Sequence, residues 1–127
     1  MVPLAYALSA KTELGYLAYS SLREGAAHHV MQHEFQPRSL GMFSYALDDI
    51  VGHLPCPQHI KLDTDGYELP TLRGAIQTLP KIKSLLIEID ERHPDTKEVY
   101  ALLKDFKLMG KYPRGKKEVY NCIFTRK

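Results

Sequence analysis

Two hydrophobic periods divide the chain. Residues 58–62 and 85–89 are short apolar runs bounded by turn formers or acids, and each predicts a strand. Between them Leu69, Leu72, Ile76 and Leu79 recur at helical spacing, which predicts a helix with those four on its buried face. Pro70 fits the first turn of that helix, where a missing N–H costs nothing, and Pro80 closes it. Asp95 and Glu98 have the spacing of a capping box. Val99, Leu102, Leu103, Phe106 and Met109 then form a helical stripe that Gly110 ends. Residues 119–125 alternate and predict a final strand.

The front of the chain is less regular. Residues 2–8 are apolar and predict a strand, with Pro3 placing its start at an edge. Residues 11–15 turn, and residues 15–20 predict a second strand in a hairpin with the first. Residues 21–41 show no periodicity and are expected to be a long loop. Residues 48–51 predict one or two helical turns, which Pro55 and Pro57 end. Strand, helix, strand, helix, strand implies an α/β sheet with parallel neighbours and helices on its faces.

Composition narrows the class. A chain of 127 residues with 44% hydrophobic and 25% charged residues is one globular domain with a core. Cys56 and Cys122 make no metal spacing and no disulfide framework, so a reduced, cytoplasmic setting is expected. No apolar run approaches the roughly 20 residues of a membrane span. Residues 2–10 lack the basic start of a signal peptide, which favours a buried strand there. The net charge of +2 conceals a gradient: residues 1–103 carry nine basic and thirteen acidic side chains, residues 104–127 eight and two. With no RNP-like aromatic sequence beside them, the basic residues are expected to be a solvated surface, and neither nucleic acid nor membrane is an expected partner.

The acids carry the candidate chemistry. Ligands of α/β sheets bind beyond the carboxyl ends of the strands. Asp63 ends one strand and is the favoured functional carboxylate, able to face a cleft, bind a cation or take a proton from a substrate hydroxyl. Asp65-Gly66 is also a turn pair, and Glu68 suits a helix start, so both have structural readings as well. Glu88 alternates with Leu86 and Asp90, away from Leu85, Ile87 and Ile89. If its strand adjoins that of Asp63, the two carboxylates lie close and need a cation, a shifted pKa or an arginine, for which Arg73 and Arg92 are local candidates. His28, His29, His33 and Glu34 form the one metal-like cluster, but without further ligands no metal is expected. There is no Gly-x-Gly-x-x-Gly, no Walker loop and no Gly-x-Ser-x-Gly.

The run Ile60, Lys61, Leu62, Asp63, Thr64, Asp65, Gly66, Tyr67, Glu68, with Leu72, Gly74 and Ala75 following, resembles the signature of the FkbM-type methyltransferases. Ser84 to Ile89 resembles that family's next strand, Leu47-Asp48-Asp49-Ile50 its short helix, Asn121-Cys122-Ile123-Phe124 its closing strand, and residues 4–9 its third strand. Thr64 and Pro70 are small departures. The resemblance implies a Rossmann-like sheet and O-methyl transfer from S-adenosylmethionine to a small-molecule acceptor, commonly a hydroxyl of a sugar or secondary metabolite. It places Asp63 where donor and acceptor meet and gives Asp65 and Glu68 a loop-ordering part. The family's first two strands and donor-binding glycine loop precede the part that residues 1–127 match, so the segment is expected to be the back half of the domain, with no cofactor-binding residue assigned. Three forms agree with that: a truncated enzyme, one half of a split enzyme awaiting a complementing N-terminal half, or a non-catalytic interaction module. An open edge on the strand ending at Asp63 then favours self-association.

Overall fold

The computed structural model describes residues 3–19, 29–32, 34–37, 39–115 and 118–127, and gives the backbone alone for Tyr19, His29 and Val30. It contains two four-stranded sheets. The first is made of β1 (Ala7–Leu8), β2 (Glu13–Tyr19), β3 (His29–Gln32) and β4 (Ser39–Tyr45) in the order β1-β4-β2-β3. The second is made of β5 (His59–Leu62), β6 (Ser84–Asp90), β7 (Phe106–Pro113) and β8 (Val119–Arg126) in the order β5-β6-β8-β7. Helices α1 (Leu47–Ile50), α2 (Glu68–Arg73) and α3 (Thr96–Leu102) lie between strands. No described helix is long and apolar enough to cross a membrane.

The second sheet holds the core. β5 and β6 run parallel, with Ile60 beside Leu85 and Leu62 beside Ile87. β8 is antiparallel to β6, and β7 antiparallel to β8, so the sheet is mixed. In β6 burial alternates strictly, with Leu85, Ile87 and Ile89 inward and Glu88 on the other face. Ile82, Leu85, Ile87, Leu103 and Cys122 are fully buried and pack with Leu62, Leu69, Leu72 and Phe124. Burying a side chain of this size contributes about 1.5–3 kcal/mol.

Five expectations change. β1 and β2 form no hairpin. β1 pairs in parallel with β4, and β2 pairs antiparallel with the other side of β4 and with β3. β3 and the start of β4 occupy part of the stretch expected to be a loop. Their pattern is hard to read because Leu40 and Phe43 are both exposed, so no buried face imposes an alternation.

The helix after the Asp63 strand stops at Arg73, and Ile76 is exposed rather than on its buried face. Asp48 holds the turn that follows. Its carboxylate accepts the N–H groups of Gln77 and Thr78, both at 2.8 Å, which a continuing helix would give to its own carbonyls. The stripe through Met109 is no helix either: α3 ends at Leu102, and Phe106 opens β7, which β8 holds by cross-strand pairing. Finally, Asp95 makes no capping hydrogen bond. Glu98 goes to Arg73, while Thr96 Oγ1 donates to the Asp90 carbonyl at 2.6 Å and ties α3 to the end of β6.

Gly74 joins the sheets. A Cβ there would meet the Ser9 carbonyl oxygen at 1.9 Å and the Ala46 backbone at 3.1 Å, so only glycine allows the approach. Thr71 Oγ1 donates to the Leu8 carbonyl at 3.3 Å, and the Asp48 N–H donates to the Gly74 carbonyl at 2.9 Å.

Candidate functional site

The parallel pairing of β5 and β6 sets their carboxyl ends side by side, and both ends carry acids. One arginine spans them. Arg114 Nη1 lies 2.9 Å from Asp63 Oδ2, and its Nε lies 3.1 Å from Glu88 Oε2. Lys61 Nζ adds a second contact to Asp63 Oδ2 at 3.1 Å. Arg73 and Arg92, the candidates by local position, are occupied elsewhere: Arg73 with Glu98, and Arg92 with Asp90 through two bonds of 2.9 and 2.6 Å.

These contacts set the charge on Asp63. Burial pushes its carboxyl up, but the bonds from Lys61 and Arg114 outweigh that and hold it below the ordinary range. The stabilisation this implies is full above the ordinary value of 3.8 and is lost as pH falls through the lower folded value. Asp90 is held at about 2, chiefly by the side-chain bond from Arg92.

A tight turn follows Asp63. Asp65 and Gly66 have φ of 51° and 97°, and the Tyr67 N–H donates to the Thr64 carbonyl at 3.3 Å, the pattern of a turn with two left-handed central residues. Glu68, the first residue of α2, reaches back to the Thr64 N–H at 2.9 Å and to Thr64 Oγ1 at 3.0 Å. The Glu68 side chain thereby fixes the loop between strand and helix.

A cavity of about 460 Å³ opens beside this turn, between the starts of α2 and α3. That is a size at which small molecules bind. Asp65, Glu68 and Glu88 line it, with Asp90, Arg92 and His93 from the end of β6. Neither Asp63 nor the Arg114 that binds it is among the lining residues. Glu88 joins the two parts, since it touches Arg114 and also lines the cavity.

Arg114 is the site residue that sequence reasoning missed. It lies in the β7–β8 connection, 51 positions from Asp63, where its neighbours Gly115, Lys116 and Lys117 read as a solvated turn. Only the register of β8 against β6 brings it over the strand mouths. Among the histidine cluster, His28 and His33 lie outside the described residues, and Glu34 is exposed. No group of described His, Cys, Asp and Glu residues has the arrangement of a metal site.

The methyltransferase FkbM domain model matches residues 9–108. The chain is also similar to the hexuronic acid methyltransferase AglP of Haloferax volcanii, with 28% identity over 110 residues, which is 85% of this chain and 44% of that protein. It thus spans less than half the length of the curated relative it matches. No solved structure matches. Asp63, Asp65, Gly66 and Glu68, at the mouth of β5, fall inside the matched span, and the chain belongs to the FkbM methyltransferase family.

Proposed function

We propose that these residues form the strand-mouth side of an FkbM methyltransferase domain that methylates a hydroxyl of a sugar or secondary metabolite. The observation that carries this reading is the pairing of Asp63 and Glu88 at adjacent parallel strand ends, next to a ligand-sized cavity. The name of the AglP relative gives a hexuronic acid as what that protein methylates, which favours a sugar acceptor here.

S-adenosylmethionine, the donor the family implies, supplies an activated methyl group together with a carboxylate and a ribose diol. The described residues do not fit its amino-acid end. A donor carboxylate needs free backbone N–H groups or an uncommitted cation. The ionisable side chains that line the cavity are mainly acids, and its Arg92 is bound to Asp90.

The chain's own part concerns the acceptor. A hydroxyl that becomes a methyl ether must lose its proton. Glu88, facing the cavity from the strand mouth, is placed to take it. Asp63 keeps Arg114 over that mouth, and Arg114 in turn orients Glu88. Asp65 and Glu68 order the loop on which the acceptor rests.

The two edges of the second sheet favour a back half completed by another segment. β7 carries Lys107 and Lys111, a bulge between Leu108 and Gly110, and Pro113, all devices that discourage pairing. β5 has four residues and only Lys61 as a reliably charged side chain. It is the edge at which a further strand is expected.

The test joins the chain to a donor-binding front half from a family member and assays methyl transfer to a uronic acid. The chain alone is expected to show no low-micromolar binding of S-adenosylmethionine. In the joined protein Asp63→Asn and Glu88→Gln should lower turnover more than thermal stability. Collapse of stability with unchanged turnover per folded molecule would make both acids structural and remove the proposal.

A further inference from the structure

Lys81, Lys83, Lys104, Lys107, Arg126 and Lys127 gather at the end of the second sheet opposite the strand mouths, and all six are exposed. Topology places them there. β5 and β6 begin at that end, β8 finishes there, and β7 starts there. Backbone hydrogen bonds join the three segments: the Arg126 N–H donates to the Lys83 carbonyl at 2.9 Å, and the Lys127 N–H to the Asp105 carbonyl at 3.2 Å. Lys127 Nζ reaches the Lys104 carbonyl at 2.6 Å, and Arg126 Nη1 the Leu79 carbonyl at 3.3 Å.

Exposed lysines are ordinarily just solvated. Pairing sets this group apart. Near the strand mouths Lys61, Arg92, Lys111 and Arg114 are each matched to a carboxylate. Of the seven described cations outside any ion pair, six stand at the opposite pole, the seventh being Lys97. The nearby acids are Asp105 and Asp48, and Asp48 is already engaged by Gln77 and Thr78. Like charges so placed repel one another and favour an anionic partner.

The chemistry of the pole points to the kind of partner. Five of the six cations are lysines, which act as point charges, whereas arginine's fork suits a single fixed phosphate. Exposed Leu108 and Met109 follow Lys107 directly. At the pole itself the ring of Phe106 is buried, and the exposed Tyr112 stands toward the far end of β7, so no described ring there is free to stack with a base. Diffuse positive charge beside aliphatic side chains suits a lipid surface, where lysines lie at the headgroups and apolar groups dip beneath them.

We propose that this pole docks on an anionic lipid membrane. Each cation near such a surface raises partitioning about fivefold. The test is flotation of the full chain with vesicles of phosphatidylcholine containing about a third phosphatidylglycerol, at low salt; flotation separates lipid-bound protein from aggregates. Binding is expected with these vesicles, absent with phosphatidylcholine alone, and lost at 1 M salt, where the Debye length is about 3 Å. Substituting Lys104→Gln, Lys107→Gln and Lys127→Gln together should lower the partition coefficient about a hundredfold with an unchanged melting curve. Lys97→Gln, at the other pole, should leave partitioning unchanged. If the triple variant melts early, Lys81→Gln with Lys83→Gln asks the same question from a different loop, with an expected loss of about 25-fold. Failure to float with anionic vesicles, or flotation indifferent to these substitutions, overturns the proposal. Tight binding of a single-stranded oligonucleotide without flotation would assign the pole to nucleic acid and overturn it as well.

Discussion

The two sheets have the same number of strands and differ in what holds them. In the second sheet every inward residue of β6 is buried, and the core cluster runs from Leu62 to Phe124. No described residue of the first sheet belongs to that cluster. Leu14 and Phe43 in its strands and Phe35 beside them are 53%, 56% and 69% exposed, and the described buried positions in or next to its strands are small: Ser9, Gly15, Ser44 and Ala46. Aromatic contacts such as Tyr6 with Tyr45 at 5.1 Å link its strands, but the sheet is fixed to the rest mainly by backbone approach at Gly74 and by polar bonds at Thr71 and Asp48. A sheet can therefore be positioned by fit and hydrogen bonding while its apolar surface stays in water. The second sheet is the unit whose stability the core decides.

Ile87→Ala probes that difference most strongly. It removes a fully buried side chain, and equilibrium denaturation should show a loss of about 2–5 kcal/mol over the whole chain. A loss below about 1 kcal/mol would mean that the second sheet is not the stabilising unit. Gly74→Ala should do less globally and more locally. The added Cβ has no room against the Ser9 carbonyl, so something must shift, at a cost of about 1–3 kcal/mol. Hydrogen exchange should then quicken in β1 and β4 and stay slow in β6 and β8. Equal loss of protection in both sheets would show them to be one cooperative unit. Phe43→Ser should be nearly silent, within about 0.5 kcal/mol, because the ring already faces solvent. A melting shift beyond that would mean that the first sheet gains more from its aromatic contacts than its burial suggests.

The same contrast decides what the sequence discloses. β5, β6 and β8 are legible because one side or both are buried, and burial writes a period into the residues. β3 and β4 are not, because exposed Leu40 and Phe43 obey no inside-outside rule. β7 misleads for another reason. Val99, Leu102, Leu103 and Phe106 happen to continue a helical spacing, and only pairing with β8, the next strand of the chain, turns it into a strand at Phe106. The candidate site divides in the same way. Asp63, Asp65, Glu68 and Glu88 announce themselves because each sits at a strand end or beside one. Arg114 carries no such local mark, since its place depends on a register between segments far apart in the chain.

The order β5-β6-β8-β7 also constrains how the protein folds, because β8 follows β7 in the chain yet lies between it and β6. The β7–β8 hairpin closes over a short connection and can form by itself, on a timescale of about 1–10 μs. Pairing β8 with β6 must wait for a much longer loop that includes α3, and loop closure of that kind slows folding. This topology favours an order in which a finished hairpin docks on β6 to complete the middle of the sheet and brings Arg114 with it. The bulge between Leu108 and Gly110 sets the hairpin's internal register before docking. A slip there, early and far from the acids, would deliver the arginine to the wrong side of the strand mouths.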